Sequence, residues 1–174
     1  MLSPAQFQQL WSLSDEVLYR EAVLFIRDLA KREDCQPLPN SQVKGLLNIA
    51  KASQYNELER YIEHQRQRDW NAKSRYLKTF YTELEKVLTA MKNKRLRQEF
   101  QLLTTPLTHI ERIREADELM AQLAYEFIQH LLAENALLIA EMGTGRVKNQ
   151  RAGSKLVVES GAEKVTNQRA GSKR

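Results

Sequence analysis

The densest group of chemistry-bearing residues lies between Glu63 and Tyr76. It holds Arg66, Arg68, Lys73 and Arg75, interleaved with Trp70 and Tyr76. Guanidinium and ammonium groups neutralise phosphates, and an exposed ring can stack on a base. The combination suits single-stranded nucleic acid. The competing reading is a solvated turn in which Trp70 plugs the end of a helical bundle. A second cationic run, Lys92 to Arg97, places Lys92 and Arg95, and Lys94 and Arg97, three apart on a helix. Cations near a helix C-terminus also suit the macrodipole, so this run fits plain solvation or an anionic partner. Arg112 and Arg114 stand near the start of a helix, against the dipole, with Glu111 and Glu115 available to pair with them.

Other chemistries are missing from the sequence. His64, His109 and His130 form no His-Glu-x-x-His and no Glu-x-x-His, the helical signatures of zinc proteases and di-iron bundles. No Arg precedes a His at the spacing of helical ribonucleases. Glu126 and His130 are one turn apart and read as a solvent-facing pair. Gly143-Thr-Gly-Arg146 looks like a fragment of a phosphate loop but lacks the lysine and the preceding strand, so it reads as a helix stop. A lone Cys35 excludes an internal disulfide framework and a Cys-based zinc cluster. No metal and no cofactor is expected, and no catalytic residue is assigned.

Charge and glycine divide the chain. From Gly143 onward there are eight Lys or Arg against two acids, while residues 1–142 sum to −1. Five of the six glycines fall in the same final segment. Val147–Lys155 recurs as Val165–Lys173, with Lys148 replaced by Thr166. Two copies are too few for a solenoid. High charge, frequent Gly and low hydrophobicity predict a disordered basic extension over 143–174 after a helical domain over 1–142. That extension is either a weakly constrained duplication or a basic arm for a polyanion.

The elements that would position these groups all read as helices. Ser3-Pro4 opens a short helix with Phe7, Leu10 and Trp11 on one face. Ser12 to Asp15 fits a capping box for a second helix carrying Leu18, Ala22, Phe25, Ile26 and Leu29. Pro37 and Pro39 force a loop. Ser41 starts a helix with Val43, Leu46, Leu47 and Ala50 inward, and Ser53 caps another with Tyr55, Leu58, Tyr61 and Ile62. A long helix is predicted over 72–102 with a seam of Leu77, Tyr81, Leu84, Leu88 and Met91. Thr104 to Pro106 breaks the chain, Thr108 and Glu111 form a capping box, and the last helix, with Ile110 and Ile113 among its apolar residues, ends at Gly143. The fold class is all-α: a bundle of five or six helices followed by a flexible basic tail. No run of 18 apolar residues and no signal-like N-terminus is seen, so a cytoplasmic setting without membrane contact is expected.

Ser41 to Ala50, followed by Tyr55 to Arg68, resembles the helical core of small subunits of type III CRISPR-associated effector complexes, over roughly residues 36–97. The resemblance implies an all-helical, non-enzymatic subunit of an antiviral ribonucleoprotein. Such a subunit holds guide and target RNA by backbone contacts, beside other subunits of the complex, with no small-molecule substrate. Lys44 matches the basic position of the helix start, and Arg66 and Arg68 match the basic character of the later helix.

Two functions therefore stand. In the first, Lys44, Arg66, Arg68, Lys73, Arg75, Lys92, Arg95 and the tail hold RNA phosphates, with Trp70 as a stacking platform. In the second, the chain is a helical adaptor that binds another protein, its charges serve solvation, and its folded body exposes an apolar patch.

Overall fold

In the computed structural model the described residues are 2–32, 35–52, 54–103 and 108–162, with side chains described as far as Gly143, that of Ala52 excepted. Among them there are five helices and no strand. Two compact units are distinguished, Met1–Ala136 and Leu137–Arg174.

The first helix, α1, is longer than its sequence signals imply. Ser3 caps it with a full capping box: its hydroxyl accepts from the Gln6 amide, and the Gln6 side chain accepts from the Ser3 amide. Pro4–Leu13 then continues through a π-helical turn, Ser14–Leu18, into Tyr19–Ala30. The expected second start at Ser12 is absent. Ser14 is buried and turns its hydroxyl toward another helix, so no capping box forms there. Phe7 and Trp11 do not share the inward face of Leu10; Leu10 is buried and they are exposed.

The next two helices are α2, Asn40–Ala52, and α3, Tyr55–Gln67. The expected cap at Ser53 lies outside the described residues. A Cβ at Gly45 would lie 2.7 Å from the Tyr61 hydroxyl, so glycine is what lets α2 and α3 approach there. The fourth helix, α4, runs Tyr76–Ala90, a π turn Met91–Arg95, then Leu96–Gln98. It starts after a 3₁₀ turn, Ala72–Ser74, rather than at Ala72, and stops before Leu102, past which the expected helix does not extend. Gln101 follows in the left-handed region, φ 51°, which redirects the chain.

The seam predicted for α4 is buried throughout: Leu77, Tyr81, Leu84, Leu88 and Met91. Phe25 of α1 meets Phe80 of α4 and Phe127 of the fifth helix edge-on at 5.8 and 6.0 Å. These rings tie three helices into one core. Burial also pushes the Tyr55 and Tyr81 phenols well above their ordinary range. Tyr81 donates to Gln42 Oε1 at 2.9 Å, so its hydroxyl stays satisfied inside.

The fifth helix, α5, is His109–Ala162. Thr108 caps it as expected, taking the Glu111 amide and donating to the Glu111 carboxylate. Ile110 and Ile113, among the helix's apolar residues, are 78% and 58% exposed. The expected stop at Gly143 is not the helix end. Gly143 does not adopt the positive φ that a terminating glycine needs, and a glycine inside a helix weakens it by about 1 kcal/mol without ending it. The first copy of the repeated segment falls within this helix. The second copy lies outside the described residues. No helix among the described residues is long and apolar enough to cross a membrane.

Two polar devices fasten the first unit. The buried Asn135 side chain accepts from the Leu38 amide at 2.7 Å and donates to the Leu38 carbonyl at 3.2 Å. It thereby satisfies both backbone groups of a residue set between Pro37 and Pro39. Glu134, 4% exposed, is paired with Arg27 of α1.

Candidate nucleic-acid interface

Helix α3 ends at Gln67 because the chain turns at Arg68, whose ψ is 140°. The turn is held by local bonds. Trp70 Nε1 donates to the Gln65 carbonyl at 2.8 Å, and the Asn71 side chain accepts from the Ser74 amide at 3.0 Å to cap the 3₁₀ turn. The ring of Trp70 is thus fixed by its own N–H and half-buried. The Arg68 guanidinium lies over it, 4.6 Å from the centroid. Trp70 both closes the end of α3 and carries a cation on its face.

Lys73 and Arg75 follow on the 3₁₀ turn and at the start of α4. Both are exposed, and neither has an ion-pair partner among the described residues. Arg68 is likewise exposed and bound to no carboxylate there. Arg66 differs. Its Nε lies 3.0 Å from Glu85 Oε2, close enough for charge pairing but not aligned as a hydrogen bond. Gln65 Oε1, just before it, is buried with no hydrogen-bond partner. Lys44 is exposed on α2, also with no ion-pair partner among the described residues.

Two members of the other cationic run, Lys92 and Arg95, are committed internally, while Lys94 and Arg97 are exposed. Lys92 reaches Glu59 at 3.1 Å and lies over the Tyr55 ring at 4.8 Å. Arg95 is 15% exposed. It binds Glu21 through two nitrogens at 2.6 and 2.8 Å, binds Glu99 at 2.8 and 2.9 Å, and stacks on Phe100 at 4.6 Å. Hydrogen bonds to Glu99, then Glu21, raise its pKa against the opposing effect of burial. The same contact with Arg95 holds the Glu99 carboxyl below its ordinary value. The π turn Met91–Arg95 is what rotates Arg95 inward toward α1. Arg75 and Lys92 are seventeen residues apart, roughly 25 Å along α4. The eight expected residues therefore form no single cluster. Arg68 lies over Trp70, Lys73 and Arg75 follow them in the same interhelical turn, Lys44 stands on a different helix, and Lys92 and Arg95 are at the far end of the α3–α4 hairpin.

One polar cluster escaped the sequence reading. Glu126 and His130 do not face solvent as a bare pair. The Ser14 hydroxyl lies 3.1 Å from Glu126 Oε2 and 2.8 Å from His130 Nε2, Gln122 donates to Glu126 Oε1, and Tyr19 meets the His130 ring edge-on at 5.5 Å. One hydroxyl proton joins α1 to α5 here. Ser14 is 4% exposed, so its hydroxyl acts as a buried tie between the two helices. The available signal was the spacing of Leu10, Ser14, Leu18 and Ala22, which puts a serine in an otherwise apolar row. Among the described residues no three His, Cys, Asp or Glu side chains come together as a metal site would require.

No protein-family model, no curated protein and no solved structure matches this chain.

Proposed function

We propose that this chain is a non-enzymatic helical subunit that binds single-stranded RNA through the phosphate backbone. Its binding surface is the α3–α4 junction, and its setting is an RNA-guided effector complex of the type III CRISPR kind. One observation carries the reading. Among the described residues Arg68, Lys73 and Arg75 remain exposed without ion-pair partners, and Arg68 lies over a tryptophan fixed in place by its own N–H. Elsewhere on the hairpin, Lys92 and Arg95 are matched by acids. Unmatched cations beside an ordered ring suit a flexible polyanion whose bases can unstack.

The arrangement supports three phosphate contacts at this junction, fewer than the full set of cations would give. Each contact adds about −0.7 to the slope of log K against log salt for a single strand, so the junction accounts for a slope of about −2. The site would take RNA largely without regard to sequence, since cations and a ring read no base edges.

The test is titration of a fluorescent single-stranded RNA with the full chain and with a variant carrying Arg68→Ala, Lys73→Ala and Arg75→Ala. Binding that drops in the variant, with the helical circular dichroism unchanged, supports the reading. Equal binding by both chains contradicts it. No binding by either chain leaves a protein-binding adaptor in its place.

A further inference from the structure

Helix α1 hides one row of side chains and displays another. Gln6, Leu10, Ser14, Leu18, Ala22 and Ile26 are buried, each four residues beyond the last. In an unbroken α-helix a strict spacing of four drifts about 40° around the axis at each step. The π turn Ser14–Leu18, with more residues per turn, takes back part of that drift. The residue after each buried one falls on a second row: Phe7, Trp11, Asp15, Tyr19 and Val23. Phe7, Trp11 and Tyr19 are 41%, 64% and 50% exposed, and Leu24 beside them is 56% exposed. The row extends over seventeen residues, roughly 24 Å, which is the length of a helix–helix contact of about four turns.

Two features say what covers this face. Aromatic side chains at such exposure are the usual anchors of a protein interface. Tyr19 is already ordered by its edge contact with His130, so it would lose little freedom on docking. Asp15 then interrupts the row midway between Trp11 and Tyr19, with Glu16 next to it. Both carboxylates are exposed and neither has an ion-pair partner among the described residues. Arg20 lines the same hollow but pairs with neither. A nucleic acid or an anionic lipid surface would meet two carboxylates here and be repelled. A purely apolar partner would strip water from Asp15 and put nothing in its place.

We infer that the Phe7–Val23 face of α1 docks an amphipathic helix of another protein, whose central Lys or Arg pairs with Asp15 and Glu16 while apolar residues a turn to either side cover Trp11 and Tyr19. The hollow beside the π turn, about 670 Å³ between Asp15, Val17, Tyr19 and Val23, has room for the partner's apolar side chains. The inference does not depend on RNA binding, because the carboxylates of α1 and the cations of the α3–α4 junction belong to different helices.

The test places the photo-reactive residue p-benzoylphenylalanine at Trp11 of the full chain, in the cells that make it, and identifies the cross-linked peptide by mass spectrometry. The expected product is a helical, amphipathic peptide of a different protein with a Lys or Arg between apolar residues. Asp15→Lys with Glu16→Lys should lower the cross-link yield by about tenfold, and reversing the partner's central cation to Glu should restore it. Both substituted positions are exposed, and circular dichroism checks that the helix content is kept. Cross-links to a second copy of this chain, to nucleic acid or to lipid would overturn the inference. So would a partner peptide without the cation, a yield indifferent to the charge reversal, or a yield no higher than from the same probe at exposed Arg60.

Discussion

The two cationic runs of the α3–α4 hairpin are nearly alike as sequence and unlike as structure. Each packs four Lys or Arg into ten residues or fewer. At the junction, Arg68, Lys73 and Arg75 meet no acid among the described residues, and the local bonds of Trp70 and Asn71 hold the turn without using their charge. At the far end, Glu59 receives Lys92, and Glu21 and Glu99 enclose Arg95. A cationic run thus stays available to a partner only where the fold brings no carboxylate to it. Two of these acids, Glu21 of α1 and Glu59 of α3, are distant in sequence from the cations they neutralise, while Glu99 is one turn from Arg95.

Substitutions can break this contrast, and the largest effect belongs to Arg95→Ala. It would leave Glu21 without its bidentate partner and remove the stack on Phe100. Breaking a mostly buried pair of this kind costs about 3 kcal/mol. The thermal midpoint should fall by about 10 °C, and a shift of under about 2 °C would show that Arg95 is not structural. Asn135→Ala comes next, since it orphans the buried amide and carbonyl of Leu38. A loss of about 2 kcal/mol in denaturant unfolding is expected. Lys92→Ala should cost less than about 1 kcal/mol, because both it and Glu59 are substantially exposed. Lys73→Ala and Arg75→Ala should change stability by no more than about 0.5 kcal/mol while weakening RNA binding.

The far-end cluster also carries a pH signature. Glu99 is held below its ordinary value of 4.5 in the folded chain, chiefly by hydrogen bonds from Arg95. A carboxylate with a depressed folded pKa contributes stability above its unfolded value and loses it as pH falls through the folded one. Stability should therefore decline below about pH 4.5, with a shallower decline in Arg95→Ala. Identical acid limbs would remove Glu99 from the account. The carboxylate is well exposed, so the effect is the smallest of the set.

Much of the fold was legible because local signals and periodicity agreed. The N-cap at Ser3 with Pro4 after it, the capping box at Thr108, the proline loop and the seam Leu77 to Met91 depend on neighbours a few residues away. What was not legible depended on register and on distant partners. Ser12 to Asp15 has the composition of a helix start, yet packing of Leu10, Ser14 and Leu18 against the core carries the helix straight through as a π turn. Phe7 and Trp11 look like core residues from spacing alone, but the same register turns them outward. Within the candidate site, the junction residues stayed together because they are contiguous in sequence. The ion pair of Arg95 with Glu21 was not legible because Glu21 lies 74 residues earlier.

The most direct measurement is the salt dependence of RNA binding by the full chain, set beside two variants. One carries Arg68→Ala, Lys73→Ala and Arg75→Ala; the other carries Lys92→Ala alone. Unequal roles for the two runs predict that the junction variant loses about 2 from the log–log slope and binds about 20-fold more tightly relative to wild type at 200 mM than it does at 50 mM, while Lys92→Ala leaves the slope in place. A junction variant with an unchanged slope, or a Lys92→Ala chain that loses as much, would contradict the assignment of RNA binding to the α3–α4 junction.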